Sequence, residues 1–399
     1  MKHVLIASFD MEVGGVERSL IGMLNHFDYE NYHIDLMLYS HTGDFMKLLP
    51  STPNLLEEMT VYKTFRMSIS ETIKNGKIHL GFIRLIAKMK AELSFTQEKG
   101  YRQMQYMWKY SLPFLPKLSK RYDVAISYLW PHYFVAEKVE ANTKIAWIHT
   151  DYSMVNTDVK LDLDLWNKFN YIIAVSEDCR NAFLDKYPRL ASKVEVMENI
   201  ASPNLIRSLS MQQVSEPMYS DKRFKIVTVA RLSYAKGIDQ AVKAMKKLID
   251  LANNIVWYVI GYGGDEGEIR KMIAEYELED HFILLGKKIN PYPYIKEADL
   301  YVQPSRYEGK AVTVTEASIL NKPILITNYP TARSQIIDGV NGYICAMGSD
   351  GLYAGIRKLY ENKELRNKVT NSQQYTQNAG DELNKIYDLV NAAGKQITF

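Results

Sequence analysis

Short apolar runs recur along the chain at 33–39, 123–128, 144–148, 171–175, 193–197, 225–229, 255–260, 281–285, 299–303, 323–327 and 342–346, and another fills most of 1–10. Runs of this length predict strands, and those between 123 and 197 are of the kind that a parallel sheet buried on both faces requires. Between the runs the period changes. Val16, Leu20, Met23, Leu24 and Phe27 fall on one helical face, as do Ile238, Ala241, Val242, Met245, Leu248 and Ile249. A further helix is predicted from about 311 to 320, with others from 350 onward and a last one over about 381–393. Alternating strands and helices define an α/β chain built from two βα series. Between them, 203–223 carries Pro203, Pro217 and several serines with little periodicity, the composition of a linker.

A chain of 399 residues is long for one core. The expected layout is a first domain over 1–202, a linker over 203–223, a second domain over 224–375 and a terminal helix in 376–399. Composition is that of an ordinary soluble protein, 47% apolar and 24% charged with a formal net charge of +3, so no global basic field points to nucleic acid. Cys179 and Cys345 stand far apart with no CxxC or Cys/His spacing, which predicts a reduced, cytosolic chain without structural zinc. The opening apolar run stops at Asp10 with no cleavage pattern after it, so it reads as a buried strand rather than a signal peptide. No run approaches the ~18 apolar residues needed to span a bilayer.

The segment 63–121 differs from the rest. Thirteen Lys and Arg face only Glu71, Glu92 and Glu98, a net +10, and among them lie Phe82, Ile83, Leu85, Ile86, Met89, Leu93, Phe95, Tyr106, Met107, Trp108, Phe114 and Leu115. Two readings stay open: helices resting peripherally on an anionic membrane, or helices that pack on a core with a solvated basic face.

Candidate chemistry centres on 225–316. The strand at 225–229 leads into Ala230-Arg231-Leu232-Ser233-Tyr234-Ala235-Lys236-Gly237, and the strand at 299–303 leads toward Glu308 and Glu316. Open α/β sheets bind ligands beyond the carboxyl ends of their strands. Two cations suit a diphosphate, as do the N-termini of the helices that follow, and two carboxylates suit the hydroxyls of a sugar or ribose. Gly14-Gly15 after the first strand would let backbone approach a ligand, and His149, just past the strand at 144–148, is placed to enter a crevice. Gly261-Tyr262-Gly263-Gly264 forms another glycine turn. Asp162-Leu163-Asp164 is formally a DxD motif but has no surrounding turn signal, and its acids are expected to be exposed and without a metal. Ser176-Glu177 reads as a helix cap or a weaker crevice contact.

Taken in order, Gly14-Gly15-Val16-Glu17, His149-Thr150-Asp151, Arg231 with Lys236, Gly261-Tyr262-Gly263-Gly264 and Glu308-x7-Glu316 resemble the motifs of the retaining family 4 glycosyltransferases. The resemblance extends over nearly the whole chain. It implies the GT-B fold, two Rossmann-like domains facing across a cleft with the last helix returning to the first domain. It implies a nucleoside-diphosphate sugar donor, UDP-linked by expectation, and transfer of a hexose or N-acetylhexosamine to a saccharide, lipid-linked or protein acceptor, as in bacterial envelope polysaccharide assembly. No cofactor or metal is required on this reading. Arg231 and Lys236 then neutralise the diphosphate, Glu316 binds the ribose, Glu308 holds the sugar hydroxyls and His149 contacts the sugar. Gly14, Gly15, Gly261, Lys288, Ile289, Lys310, Ala311 and Val312 complete the donor site, with the base read near Lys288 and Ile289. Many relatives carry an aromatic residue and more glycine or proline between the two acids. This chain has Lys310 and Ala311-Val312-Thr313-Val314-Thr315 there, so the sugar does not follow from the motif. The rivals are a non-catalytic nucleotide-sugar-binding partner subunit and a nucleotide-sugar 2-epimerase; a dehydrogenase is disfavoured because no GxGxxG with a downstream acid occurs.

Overall fold

Each predicted apolar run becomes a strand, and all strand pairings are parallel. The computed structural model describes residues 1–93, 99–213, 217–371 and 379–395. By internal contacts the chain divides into two units. One comprises Met1–Glu12, Leu20–Glu198 and Gly380–Phe399; the other comprises Val13–Ser19 and Asn199–Ala379.

The first unit holds strands β1 (Lys2–Ser8), β2 (Tyr32–Leu38), β3 (Asn54–Leu55), β4 (Arg121–Ser127), β5 (Glu140–Ile148), β6 (Tyr171–Ala174) and β7 (Val194–Val196), in the order β3-β2-β1-β4-β5-β6-β7. β3 escapes sequence reading because its two residues are exposed and carry no pattern. In this unit the Ala379–Lys395 helix stacks Tyr387 on Tyr32 with ring centroids 4.9 Å apart, and Val390 O accepts a hydrogen bond from Lys2 Nζ at 2.9 Å.

The second unit holds β8 (Phe224–Val229), β9 (Ile255–Ile260), β10 (Phe282–Gly286), β11 (Leu300–Gln303), β12 (Ile324–Thr327) and β13 (Tyr343–Cys345), in the order β10-β9-β8-β11-β12-β13. Every residue of β9 is buried. Val256, Tyr258 and Ile260 enter one apolar cluster while Ile255, Trp257 and Val259 enter another, so the sheet is covered on both faces and an unbroken apolar run is required. The segment 203–223, expected as an aperiodic linker, forms the Pro203–Leu209 and Pro217–Ser220 helices over its described residues, and Ile206 and Met218 join this unit's core. Two apolar anchors so far apart leave no periodic signal.

Within 63–121 both readings find residues. Tyr106, Met107 and Trp108 of the Gly100–Ser111 helix are buried, and Trp108 stacks on Phe65 at 3.9 Å. Phe82, Leu85, Ile86, Met89, Leu93 and Phe114 are exposed. Phe95 and Glu98 lie outside the described residues. No helix among the described residues is long and apolar enough to cross a membrane.

Candidate functional site

The second unit's chain leaves β8 toward β9 and β10 on one side, while β11 leads to β12 and β13 on the other. β8 and β11 are neighbours at this switch of direction, where the loops beyond their carboxyl ends diverge and leave room for a ligand. Those two loops carry Arg231, Lys236 and Glu308, and the helix after the second carries Glu316.

Close packing fixes the loops against each other. Gly237 has φ +64°, and a Cβ there would sit 2.1 Å from Pro304 O, so no other residue fits without displacing the backbone. Arg306 N donates to Ala235 O at 2.7 Å. The Arg306 guanidinium forks onto both oxygens of Asp239 at 2.7 and 2.6 Å and lies 4.2 Å from the Tyr234 ring centroid. A bidentate pair of this type fixes direction as well as distance. Arg306 and Asp239 therefore hold the loop that presents Lys236. Nothing in local sequence distinguishes them from surface charges.

Lys236 Nζ donates to Glu308 Oε2 at 2.6 Å. The other oxygen, Oε1, accepts from Ser305 Oγ at 2.6 Å and Gln303 Nε2 at 3.0 Å. Gln303 is in turn held by Tyr301 Oη, which donates to its Oε1 at 2.7 Å. Glu308 is thus a buried, directed carboxylate whose charge is balanced by one partly exposed ammonium.

Glu316 lies in the Val312–Ile319 helix and is buried. Its Oε2 accepts from Arg18 Nη1 at 2.7 Å, and its Oε1 accepts from Tyr292 Oη at 3.0 Å. Burial works against charge on Arg18, yet the adjacent Glu316 and Tyr292 hold its guanidinium above the ordinary pKa range. Arg18 and Tyr292 were missed by sequence reasoning. The only available signal was that Arg18 follows Gly14 and Gly15 by one helical turn.

The same unit places the glycine loop beside these groups. A Cβ on Gly15 would lie 3.5 Å from Val312 Cγ2, and one on Gly14 would lie 3.4 Å from Arg231 Nη2. Arg231 itself is exposed, and its side chain makes no hydrogen bond or ion pair among the described residues. It is the cation of the set that remains available to an incoming anion.

The other predicted contacts fall around this centre. Ala311 is buried, with its N and O both hydrogen-bonded at 2.9 Å to the Gln335 side chain, which fixes the entry to the Val312–Ile319 helix. Lys310 precedes it and is partly buried. A Cβ on Gly261 would meet Ala230 O at 1.8 Å, so this glycine is required for backbone approach between the β8 and β9 loops. Lys288 lies 5.7 Å from the Tyr294 ring centroid, and Ile289 is exposed.

His149 belongs to the first unit, just beyond β5. Its Nε2 is buried without a hydrogen-bond partner among the described residues, and its ring lies 4.8 Å from that of Tyr128. Burial pulls its pKa down to about 3, so the imidazole is neutral near pH 7. In the same unit Ser176 acts as the helix cap, its Oγ accepting from Cys179 N at 3.1 Å. The expectation of two exposed acids at 162–164 is corrected. Asp164 is exposed, but Asp162 is buried and accepts from Gln105 Nε2 at 2.8 Å and Tyr187 Oη at 2.7 Å. One helical face carries both Asp162 and the core residues Leu165 and Trp166, a burial that the motif could not reveal. Among the described residues no cluster of three or more His, Cys, Asp or Glu is arranged to hold a metal ion.

Two parallel α/β units, one carrying paired cations and carboxylates at a switch point, define the GT-B class. Residues 214–375 match the family model of the glycosyl transferases group 1. An uncharacterized glycosyltransferase of Methanocaldococcus jannaschii is 27% identical over 216 residues, which is 51% of this chain and 52% of that protein. The chain thus spans about half the length of that relative. The poly(ribitol-phosphate) alpha-N-acetylglucosaminyltransferase of Staphylococcus aureus is 23% identical over 180 residues, 45% of this chain and 34% of that protein. Among solved structures, Anabaena HepE in complex with UDP and glucose superposes with a TM-score of 0.72 at 16% identity, covering 98% of this chain and all of that one.

Proposed function

We propose that the protein transfers a hexose or N-acetylhexosamine from a UDP-sugar to an acceptor hydroxyl with retention at the anomeric carbon. The observation that carries this reading is the charge arrangement at the β8–β11 switch point. Among the described residues the Arg231 side chain is unpaired and Lys236 is balanced only by Glu308, while Glu308 and Glu316 are held by donors that fix their directions. A nucleoside diphosphate sugar presents the complementary set: an anion for the two cations and hydroxyls for the two carboxylates.

On this proposal Arg231 and Lys236 meet the diphosphate, Glu308 the sugar hydroxyls and Glu316 the ribose. Gly14 and Gly15 bring backbone to the phosphates, Gly261 with Lys288 and Ile289 flanks the nucleoside, and Lys310, Ala311 and Val312 present the helix entry. His149 serves as a neutral polar contact to the sugar. The bond from the anomeric carbon to the diphosphate oxygen breaks with its electron pair leaving on the diphosphate. The acceptor oxygen bonds to that carbon and gives up its proton to the departing phosphate. Stabilising the developing charge on the leaving group is the main electrostatic contribution. The Staphylococcus relative acts, by its name, on poly(ribitol phosphate), which favours a bacterial envelope glycan or wall polymer as acceptor.

The test is mass spectrometry of products from a panel of nucleotide sugars with and without envelope-derived acceptors, and NMR of the anomeric coupling in any product. Acceptor-dependent transfer with the donor's anomeric configuration supports the proposal. An epimerised nucleotide sugar formed without acceptor, or tight UDP binding without any transfer, would replace it by one of the rival activities.

A further inference from the structure

The Ile78–Glu92 helix is apolar on two opposite faces. Leu80, Ala87 and Ala91 are buried together with Arg84, and form the inner face. At about 100° per residue the opposite face carries Ile78, Phe82, Leu85, Met89 and, at the helix end, Leu93. These are exposed by 66, 61, 44, 62 and 81%. A helix that covers a core normally presents charge there. Ile73 of the preceding Ile69–Lys74 helix and Phe114, which packs 5.1 Å from the His79 ring, widen the apolar patch.

The helix is held firmly in its orientation. Arg84, one of the cations of the basic segment, does not face solvent. Its guanidinium donates to the carbonyls of Met67 and Ser68, to Thr72 Oγ1 at 2.7 Å and to Met107 Sδ at 3.1 Å. The outward stripe is therefore a fixed ridge.

Cations outnumber carboxylates beside the ridge. Lys74, Lys88 and Lys117 are exposed, Lys77 is partly so, and none makes a salt bridge among the described residues. The nearby acids are already engaged: Glu71 accepts from Ser68 N at 2.7 Å, and Glu92 pairs with Lys99 at 2.7 Å. The ridge thus offers apolar side chains flanked by ammonium groups that no carboxylate bridges.

We propose that this ridge docks the first unit on an anionic lipid bilayer, with Phe82, Leu85 and Met89 in the boundary between headgroups and acyl chains and the lysines against lipid phosphates. Protruding side chains flanked by cations suit a soft, anionic surface into which they can sink. A second copy docked face to face would bring the same lysines against one another, which opposes self-association through this surface.

The test is co-sedimentation of the full chain with vesicles of phosphatidylglycerol in phosphatidylcholine and with phosphatidylcholine alone, at low and moderate salt. The wild type is expected to sediment with the anionic vesicles and to release as salt rises. A Phe82→Ser/Leu85→Ser/Met89→Ser variant and a Lys74→Glu/Lys88→Glu variant should each lower partitioning by on the order of tenfold or more. These positions are exposed, and unchanged thermal melts verify the fold. Independently, the tryptophan introduced by Phe82→Trp should shift its emission to the blue on anionic vesicles and be quenched by brominated lipid. Wild type that ignores anionic vesicles, variants that partition equally, or emission from the Phe82→Trp chain that brominated lipid leaves unquenched would overturn the proposal. So would a wild-type dimer that the triple serine variant abolishes, since a second copy would then be the occupant.

Discussion

Arg18 and Glu316 are separated by 298 positions in the chain and by 2.7 Å in space. With Tyr292 on the second carboxylate oxygen, the pair forms a buried network whose side chains are 9% and 2% exposed for Arg18 and Glu316. The glycine loop and the acid assigned to the ribose are thereby joined within one unit. Glu316 can meet a ribose hydroxyl only in a direction that Arg18 and Tyr292 set.

Removing Arg18 should therefore leave a buried carboxylate uncompensated. Arg18→Gln is expected to cost about 3 kcal/mol of stability or more. Adding Glu316→Gln should recover much of that loss, giving a favourable coupling in a double-mutant cycle read by urea unfolding. Additive effects of the two changes would remove the network from any structural role.

Arg231 offers the converse case. Its side chain is exposed and unpaired among the described residues, so Arg231→Ala should change stability by no more than about 0.5 kcal/mol. Transfer should fall by roughly 10²- to 10³-fold, the effect of losing one preorganised charge on a developing anion. Steady-state rates alongside a thermal melt separate the two. A wild-type rate would take Arg231 out of the donor site.

The two acids should fail differently. Glu316→Ala is expected chiefly to weaken UDP binding. Glu308→Ala should leave calorimetric UDP affinity nearer wild type and reduce transfer, because its proposed partner is the sugar. Equal losses of UDP affinity in both variants would contradict this division of roles.

Arg306→Ala should loosen the loop carrying Lys236 without touching substrate. Its Asp239 partner and the backbone bond from Arg306 N suggest a modest loss of stability with a larger fall in kcat. The conservative Arg306→Lys keeps the charge but loses the fork, and should rescue only part. Full rescue by lysine would show that charge alone matters there.

Stability should also decline as pH falls from 7 toward 5.5. Burial pulls both His132 and His149 down to about 3 in the folded chain, against an unfolded value near 6.5. Between those values the unfolded chain binds more protons, so acid favours unfolding, by at most ~1.4 kcal/mol per pH unit for each histidine. Thermal melts of wild type and His132→Asn over this range check the sign. An unchanged slope in the variant would exclude His132 as a contributor.

The sequence by itself determined every named strand except β3, and the two-unit α/β class, because a strand buried on both faces must be an unbroken apolar run. It also marked Arg231, Lys236, Glu308 and Glu316, whose charges follow strand ends. Tertiary structure alone decided how those charges are used. Arg18, Tyr292 and Arg306 come from separate elements, and their hydrogen bonds to Glu316 and Asp239 depend on close approach between segments separated along the chain, whereas Ser305 reaches Glu308 within one loop. The same limit applies to the basic segment. Composition could not tell that Arg84 is buried among carbonyls while Phe82 stands in solvent, because one helical period fits either face and only packing selects which face is covered.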